Sequence, residues 1–185
     1  MELQNPWQII SEKEVYANPW ISVSEFNVIN PSGGNGIYGK VHFRNTAVGI
    51  VAIDDDLNIY LVGQFRFPVN CYSWEIPEGG APLGTDPLEG ARRELQEETG
   101  LMAAEWQLLL TMHLSNSVSD ELALIYLAKG LTQHSSHPEE TEQLDIRKVS
   151  LDQAVSMVEE GSITDSMSVA AILKLKLLYK EGRLK

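Results

Sequence analysis

The segment from Asp86 to Gly100 constrains this chain more than any other. Asp86 is a good N-cap, Pro87 suits the first helical position, and Glu89 stands at the capping-box spacing from Asp86. Gly100 suits the left-handed residue that closes a helix. Together these signals predict a helix over 87–99. Leu88, Ala91 and Leu95 recur at helical spacing and form its apolar stripe. At about 100° per residue, Glu94, Glu97 and Glu98 share another side. Like charges so spaced repel, and near a helix C-terminus the macrodipole disfavours anions further. One reading is a plain solvated acidic face. The other is a hard divalent cation held by carboxylate oxygens, which compensates the repulsion. Arg93, four residues before Glu97, is spaced to pair with a carboxylate and hold it.

The rest of the chain alternates strands and helices. β-type runs at Ile21–Ile29 and 37–43 flank a turn-rich stretch, 30–36, that reads as a hairpin tip. Runs at 47–53 and 58–64 flank Asp54, Asp55 and Asp56, read as a solvated turn because three adjacent residues of a strand connection cannot all face one ion. Residues 74–77 are a short extended piece, followed by a glycine-containing loop over 78–85. After the helix come runs at 106–113 and 122–128, a polar loop over 132–142 and an extended stretch, 144–149. Ser150 with Gln153 caps a second helix reaching Gly161, and Asp165 starts a third that carries Val169, Ile172, Leu173 and Leu177. Strands, helix, strands, helices is the order of a mixed sheet with helices on its faces.

A length of 185 residues fits one domain with a small extension, divided here into an N-terminal β extension, 1–45, and a main domain, 46–185. With 43% hydrophobic and 22% charged residues, neither disorder nor a fibrous repeat fits. A formal net charge of -12 argues against a nucleic-acid polymer as partner. A small phosphorylated ligand remains compatible, provided that cations on clustered carboxylates supply the positive charge. The apolar runs are too short to span a bilayer, the first residues resemble no secretory leader, and the single Cys71 permits no intrachain disulfide. The expectation is a cytoplasmic protein without membrane contact.

Gly79 followed by Arg93-Glu94-Leu95-Gln96-Glu97-Glu98-Thr99-Gly100-Leu101 resembles the signature of the Nudix hydrolases, G-x5-E-x7-R-E-U-x-E-E-x-G-U with U bulky and aliphatic. Eight of its nine fixed positions match; Thr85 stands where the first glutamate is expected. The segments 61–80 and 162–173 resemble the ADP-ribose pyrophosphatase branch. The resemblance implies an α/β/α sandwich with a mixed sheet. It also implies hydrolysis of the diphosphate bond of a nucleoside diphosphate sugar, ADP-ribose first, with Mg²⁺ or Mn²⁺. GDP-mannose, a dinucleoside polyphosphate or a ligand-sensing domain without catalysis are the alternatives.

The same resemblance assigns roles. Glu94 and Glu98 become metal ligands, joined by the backbone carbonyl of Glu78 and by Glu142. Glu97 is a further ligand or a support, beside Arg93. In the acidic run Glu139 to Glu142, Glu140 takes the place of the general base, with the register towards Glu139 open by one residue. Arg66 reads either as a phosphate partner or as half of a cross-strand salt bridge, and many relatives have an arginine where this chain has Gly63. Trp74 reads as core or as a substrate platform. Trp20 or Trp7, in the N-terminal segment, is placed to stack a base, and Glu121 lies in a loop like the branch's substrate-side loop. Glu75 is expected to meet Arg93. Exposed Trp7, Ile9, Ile10 and Val15 suggest homodimerisation through the N-terminal strands.

Overall fold

The computed structural model describes residues 4–135 and 144–184. Its contacts divide the chain into two compact units, one running up to Asn45 and including His113–Glu121, the other taking Thr46–Met112 and the chain from Leu122 on.

The first unit is an antiparallel sheet of β1 (Gln8–Ala17), β2 (Ile21–Ile29) and β3 (Asn35–Phe43), in that order. The hairpin tip falls where its turn residues predict. The Asn30 side chain accepts from the Ser32 and Gly34 N–H groups, an arrangement that makes Asn a turn former. Every residue of β1 is exposed. The loop after His113 is tied to β3, where His42 Nδ1 and Asp120 Oδ2 lie 2.7 Å apart and the Tyr38 hydroxyl donates to the Ser117 carbonyl.

In the second unit, β4 (Asn45–Ala52), β7 (Glu78–Pro82), β8 (Leu101–His113) and β9 (Leu122–Gln133) form a mixed sheet in the order β7-β4-β9-β8, with β4 and β9 parallel. A second sheet, β10-β5-β6, is antiparallel and made of β5 (Asn58–Arg66), β6 (Cys71–Glu75) and β10 (Asp145–Ser150). Alternation along β4 sends Val48, Ile50 and Ala52 into a core shared with Ala91 and Leu95 of helix α1 (Pro87–Thr99). The opposite face, at Gly49, lies against Ile76, Ile125 and the Met167 side chain. Met167 belongs to α3 (Ser166–Lys180), which also packs on α2 (Leu151–Glu159). Helices thus cover both faces of the mixed sheet, the α/β/α arrangement expected. Leu95 is fully buried, so trimming it to alanine should cost about 2–5 kcal/mol. Among the described residues no helix is long and apolar enough to cross a membrane.

Four local expectations are corrected. Asp86 caps α1 by accepting from the Leu88 N–H, while Glu89 pairs with Arg92 and completes no capping box. Glu78–Pro82 is a strand, since pairing with β4 overrides the turn-like composition of its two glycines and proline. β8 begins at Leu101, five residues before Trp106, and β9 reaches Gln133. On α3 the buried side carries Met167, Ser168, Ala171, Ile172 and Leu175, whereas Leu173 and Leu177 are exposed. The Asp54 turn is as read: its Oδ1 accepts from the Asp56 and Asn58 N–H groups.

Candidate active site

The inner side of α1 is built against the strand that precedes it. Glu98 is 2% exposed and accepts from the Glu78 N–H at 3.0 Å, and Glu94 Oε1 accepts from the Gly80 N–H at 3.2 Å. Between these two bonds sits Gly79. A Cβ there would lie 2.2 Å from the Glu94 carboxyl carbon, so the close approach of backbone to carboxylate requires glycine. Arg93 spans the edge of this arrangement, donating to Glu94 and Glu97 at 2.6 Å each and to the Gly80 carbonyl at 3.1 Å. Burial pushes the Glu94 carboxyl above its ordinary value, and Glu97 adds to this, against the pull of Arg93.

A second ion-pair group lies beside the first. Arg66 donates through Nε and Nη2 to the buried Glu75, and Nη2 also reaches Glu78 Oε1 at 2.6 Å. Of the two readings of Arg66, the cross-strand ion pair is the geometry present; Glu75 takes this partner and not Arg93. Burial holds the Glu78 carboxyl well above the usual carboxylate range, with the charges of Asp165, Glu75 and Glu98 raising it further and Arg66 opposing them. Glu78 Oε2 is buried and has no hydrogen-bond partner among the described residues.

Trp74 precedes Glu75 in β6 and therefore points to the other face of the sheet. There it lies edge-on to Tyr72, with the Arg147 guanidinium 4.1 Å from its ring centre. These rings explain Gly63, where a Cβ would come within 2.3 Å of the Tyr72 hydroxyl and 2.9 Å of Trp74. The structure therefore joins Arg66, Glu78, Glu94, Glu98, Arg93 and Glu97 and leaves Trp74 out of that group. Trp20, largely exposed, and Glu121, whose carboxyl is raised by burial, belong to the other unit. Glu139, Glu140 and Glu142 lie outside the described residues.

Among the described residues no three His, Cys, Asp or Glu side chains converge closely enough to hold a metal by themselves. The donors expected here nevertheless suit a hard cation, because they are all oxygens and include a backbone carbonyl. Negative charge is also in excess: Glu75, Glu78, Glu94, Glu98 and the nearby Asp165 face Arg66 and Arg93. A buried carboxylate oxygen without a donor is costly, and a cation relieves that cost. Thr85, at the position of the missing glutamate, donates its hydroxyl to the Pro82 carbonyl at 2.7 Å and so serves the turn into α1.

Residues 43–167 match the NUDIX domain. The chain belongs to the Nudix family. It is 32% identical over 174 residues, 92% of this chain and 83% of the other, to the ADP-ribose pyrophosphatase of Mycobacterium tuberculosis. The methanol dehydrogenase activator of Bacillus methanolicus is 35% identical over 133 residues, 71% of this chain and 72% of the other. The crystal structure of an ADP compounds hydrolase superposes with a TM-score of 0.86 at 22% identity, covering 100% of both chains. That likeness confirms the fold. The protein is thus a Nudix hydrolase with relatives of the ADP-ribose pyrophosphatase kind.

Two residues that bear on this segment escaped the sequence reading. Asp165, seen only as a helix start, adds its charge to the Arg66 and Glu78 group. Ser168 is fully buried and accepts from the Ile76 N–H at 2.9 Å. The available signal was spacing: Ser168, Ile172 and Leu175 fall on one helical stripe, and a hydroxyl in an apolar stripe implies a buried partner.

Proposed function

We propose that this Nudix hydrolase cleaves the diphosphate bond of a nucleoside diphosphate sugar in the cytoplasm, with ADP-ribose as substrate and AMP and ribose 5-phosphate as products. The observation that carries the reading is the docking of the Glu78–Gly80 backbone onto Glu94 and Glu98 through two hydrogen bonds and a glycine contact. It brings a carbonyl-bearing strand to two carboxylates one helical turn apart. The resemblance to a named ADP-ribose pyrophosphatase over 92% of the chain supports the substrate.

Glu94, Glu98, the Glu78 carbonyl and Glu142 would hold Mg²⁺ or Mn²⁺. When bound, the ion screens the diphosphate charge and lowers the pKa of a coordinated water. Arg93 fixes Glu94 from the side, with Glu97 holding Arg93 in turn. Arg66 keeps Glu75 and Glu78 in place and offers the substrate diphosphate a guanidinium. Glu140 takes the proton of the attacking water. By the family resemblance, Trp20 is assigned to stack the base and Glu121 to contact the substrate. The exposed strand β1 supports a homodimer formed through the N-terminal strands.

Kinetics with ADP-ribose, GDP-mannose, UDP-glucose and diadenosine polyphosphates, with and without Mg²⁺, tests this reading. Turnover of ADP-ribose should require the metal and give the highest kcat/KM. A value for ADP-ribose below all the others would overturn the substrate, and hydrolysis without any divalent ion would overturn the metal site. Sedimentation at micromolar concentration should give a dimer; a 20.6 kDa species would refute that part.

A further inference from the structure

The segment Glu75 to Gly80, which connects the two sheets of the second unit, is held at almost every residue. Glu75 is gripped by Arg66. The Pro77 carbonyl accepts from the Ile50 N–H at 2.8 Å. The Glu78 and Gly80 N–H groups donate to Glu98 and Glu94. These anchors come from β5, β4 and α1. The remaining one, at Ile76, comes from α3, a helix distant in sequence: the Ile76 N–H donates to Ser168 Oγ at 2.9 Å.

Ser168 is itself fixed. It has no exposed surface, and its own N–H donates to the N-cap Asp165 Oδ2 at 2.7 Å, which locks the first turn of α3. The Ile76 side chain is equally buried, so neither partner of this bond can turn to water. Two residues further along the chain lies Glu78, whose N–H donates to Glu98 of α1.

We propose that Ser168 is a positioning residue for hydrolysis: its hydroxyl sets the place of the Glu78 carbonyl relative to Glu94 and Glu98, so that the first turn of α3 takes part in assembling the site. The inference rests on the proposed reading of those carboxylates as the catalytic metal site. Ser168 meets this segment at the Ile76 N–H, so its effect passes through the backbone of residues 76–78.

The test compares Ser168→Ala, Ser168→Thr and Ser168→Val with the wild type in the full chain. Threonine and valine have nearly the same shape and differ in the hydroxyl. Amide hydrogen exchange should be about tenfold faster at Ile76 and Glu78 in the alanine and valine forms, with Ile59 unchanged, and near wild type in the threonine form. With ADP-ribose and saturating Mg²⁺, kcat should fall about tenfold in the alanine and valine forms with KM nearly constant, and threonine should restore it. Ala154→Gly, a buried change in α2, controls for general loss of stability. The proposal is overturned if exchange at Ile76 and Glu78 does not respond to loss of the hydroxyl, if valine equals threonine in kcat, or if Ala154→Gly at matched Tm lowers kcat as much. Should the alanine form fail to fold, the threonine and valine pair decides alone. Exchange reads the positioning without turnover, so a wrong substrate or metal assignment would show in Glu98→Gln activity while leaving the exchange result standing.

Discussion

Helix α1 presents glutamates on two sides that meet different fates. On the outer side Glu89 pairs with Arg92 at 2.5 Å and Glu97 with Arg93 at 2.6 Å, both partly in solvent. On the inner side Glu94 and Glu98 accept backbone N–H groups from β7 and lie largely out of water. The outer pairs are ordinary helix-surface contacts, worth a few tenths of a kcal/mol each. The inner carboxylates sit in a region where anions outnumber guanidinium groups, an arrangement unfavourable for folding and suited to a cation. What lies opposite, and not residue type, sets the two groups of glutamates apart.

Substitutions on the two sides should separate accordingly. The largest effect is expected from Glu98→Gln, which keeps the size but removes the charge: Mg²⁺-dependent turnover should fall at least about 10²-fold with the circular-dichroism melt little changed. Near-normal activity in that variant would break the comparison. Next comes Gly79→Ala. Its methyl group would displace Glu94, so we expect a loss of about tenfold or more in kcat and about 1–3 kcal/mol of stability by urea titration. Glu97→Gln removes only a support of Arg93 and should cost a few-fold in kcat/KM, about 1 kcal/mol or less of transition-state stabilisation. A defect equal to that of Glu98→Gln would move Glu97 to the inner set.

The smallest effect concerns pH. The folded-state Glu78 carboxyl is raised above its ordinary value of 4.5, chiefly by burial. Between 4.5 and that raised value the folded state binds more protons than the unfolded chain, so this group's contribution to stability is present at low pH and is lost as pH rises through the folded value. In metal-free protein, Glu78→Gln should therefore reduce the decline of Tm from mildly acid to neutral pH. Parallel Tm curves for the two proteins would show that Glu78 is not the group responsible.

Much of this was legible in the residues. α1 has the predicted bounds because its cap, its proline and its terminal glycine act locally. The hairpin at Asn30 and the Asp54 turn were equally local. What escaped depends on contacts between distant segments. β7 owes its strand conformation to β4, Glu75 finds Arg66 across a sheet register that sequence does not fix, and Ser168 meets Ile76 from 92 residues away. The motif pointed to the carboxylates of α1 but was silent on which carry bonds to backbone and which face water. Trp74 and Glu75 fall on opposite faces by alternation alone, but which face meets Arg66 depends on how β6 pairs with β5.

Gly63 also limits how this sheet can be redesigned. Tyr72 and Trp74 occupy the space that a side chain would take at position 63, and Arg147 of β10 covers the indole. A long side chain placed at position 63 would force both rings out. Grafting an arginine at 63 would therefore require matching changes at 72, 74 and 147.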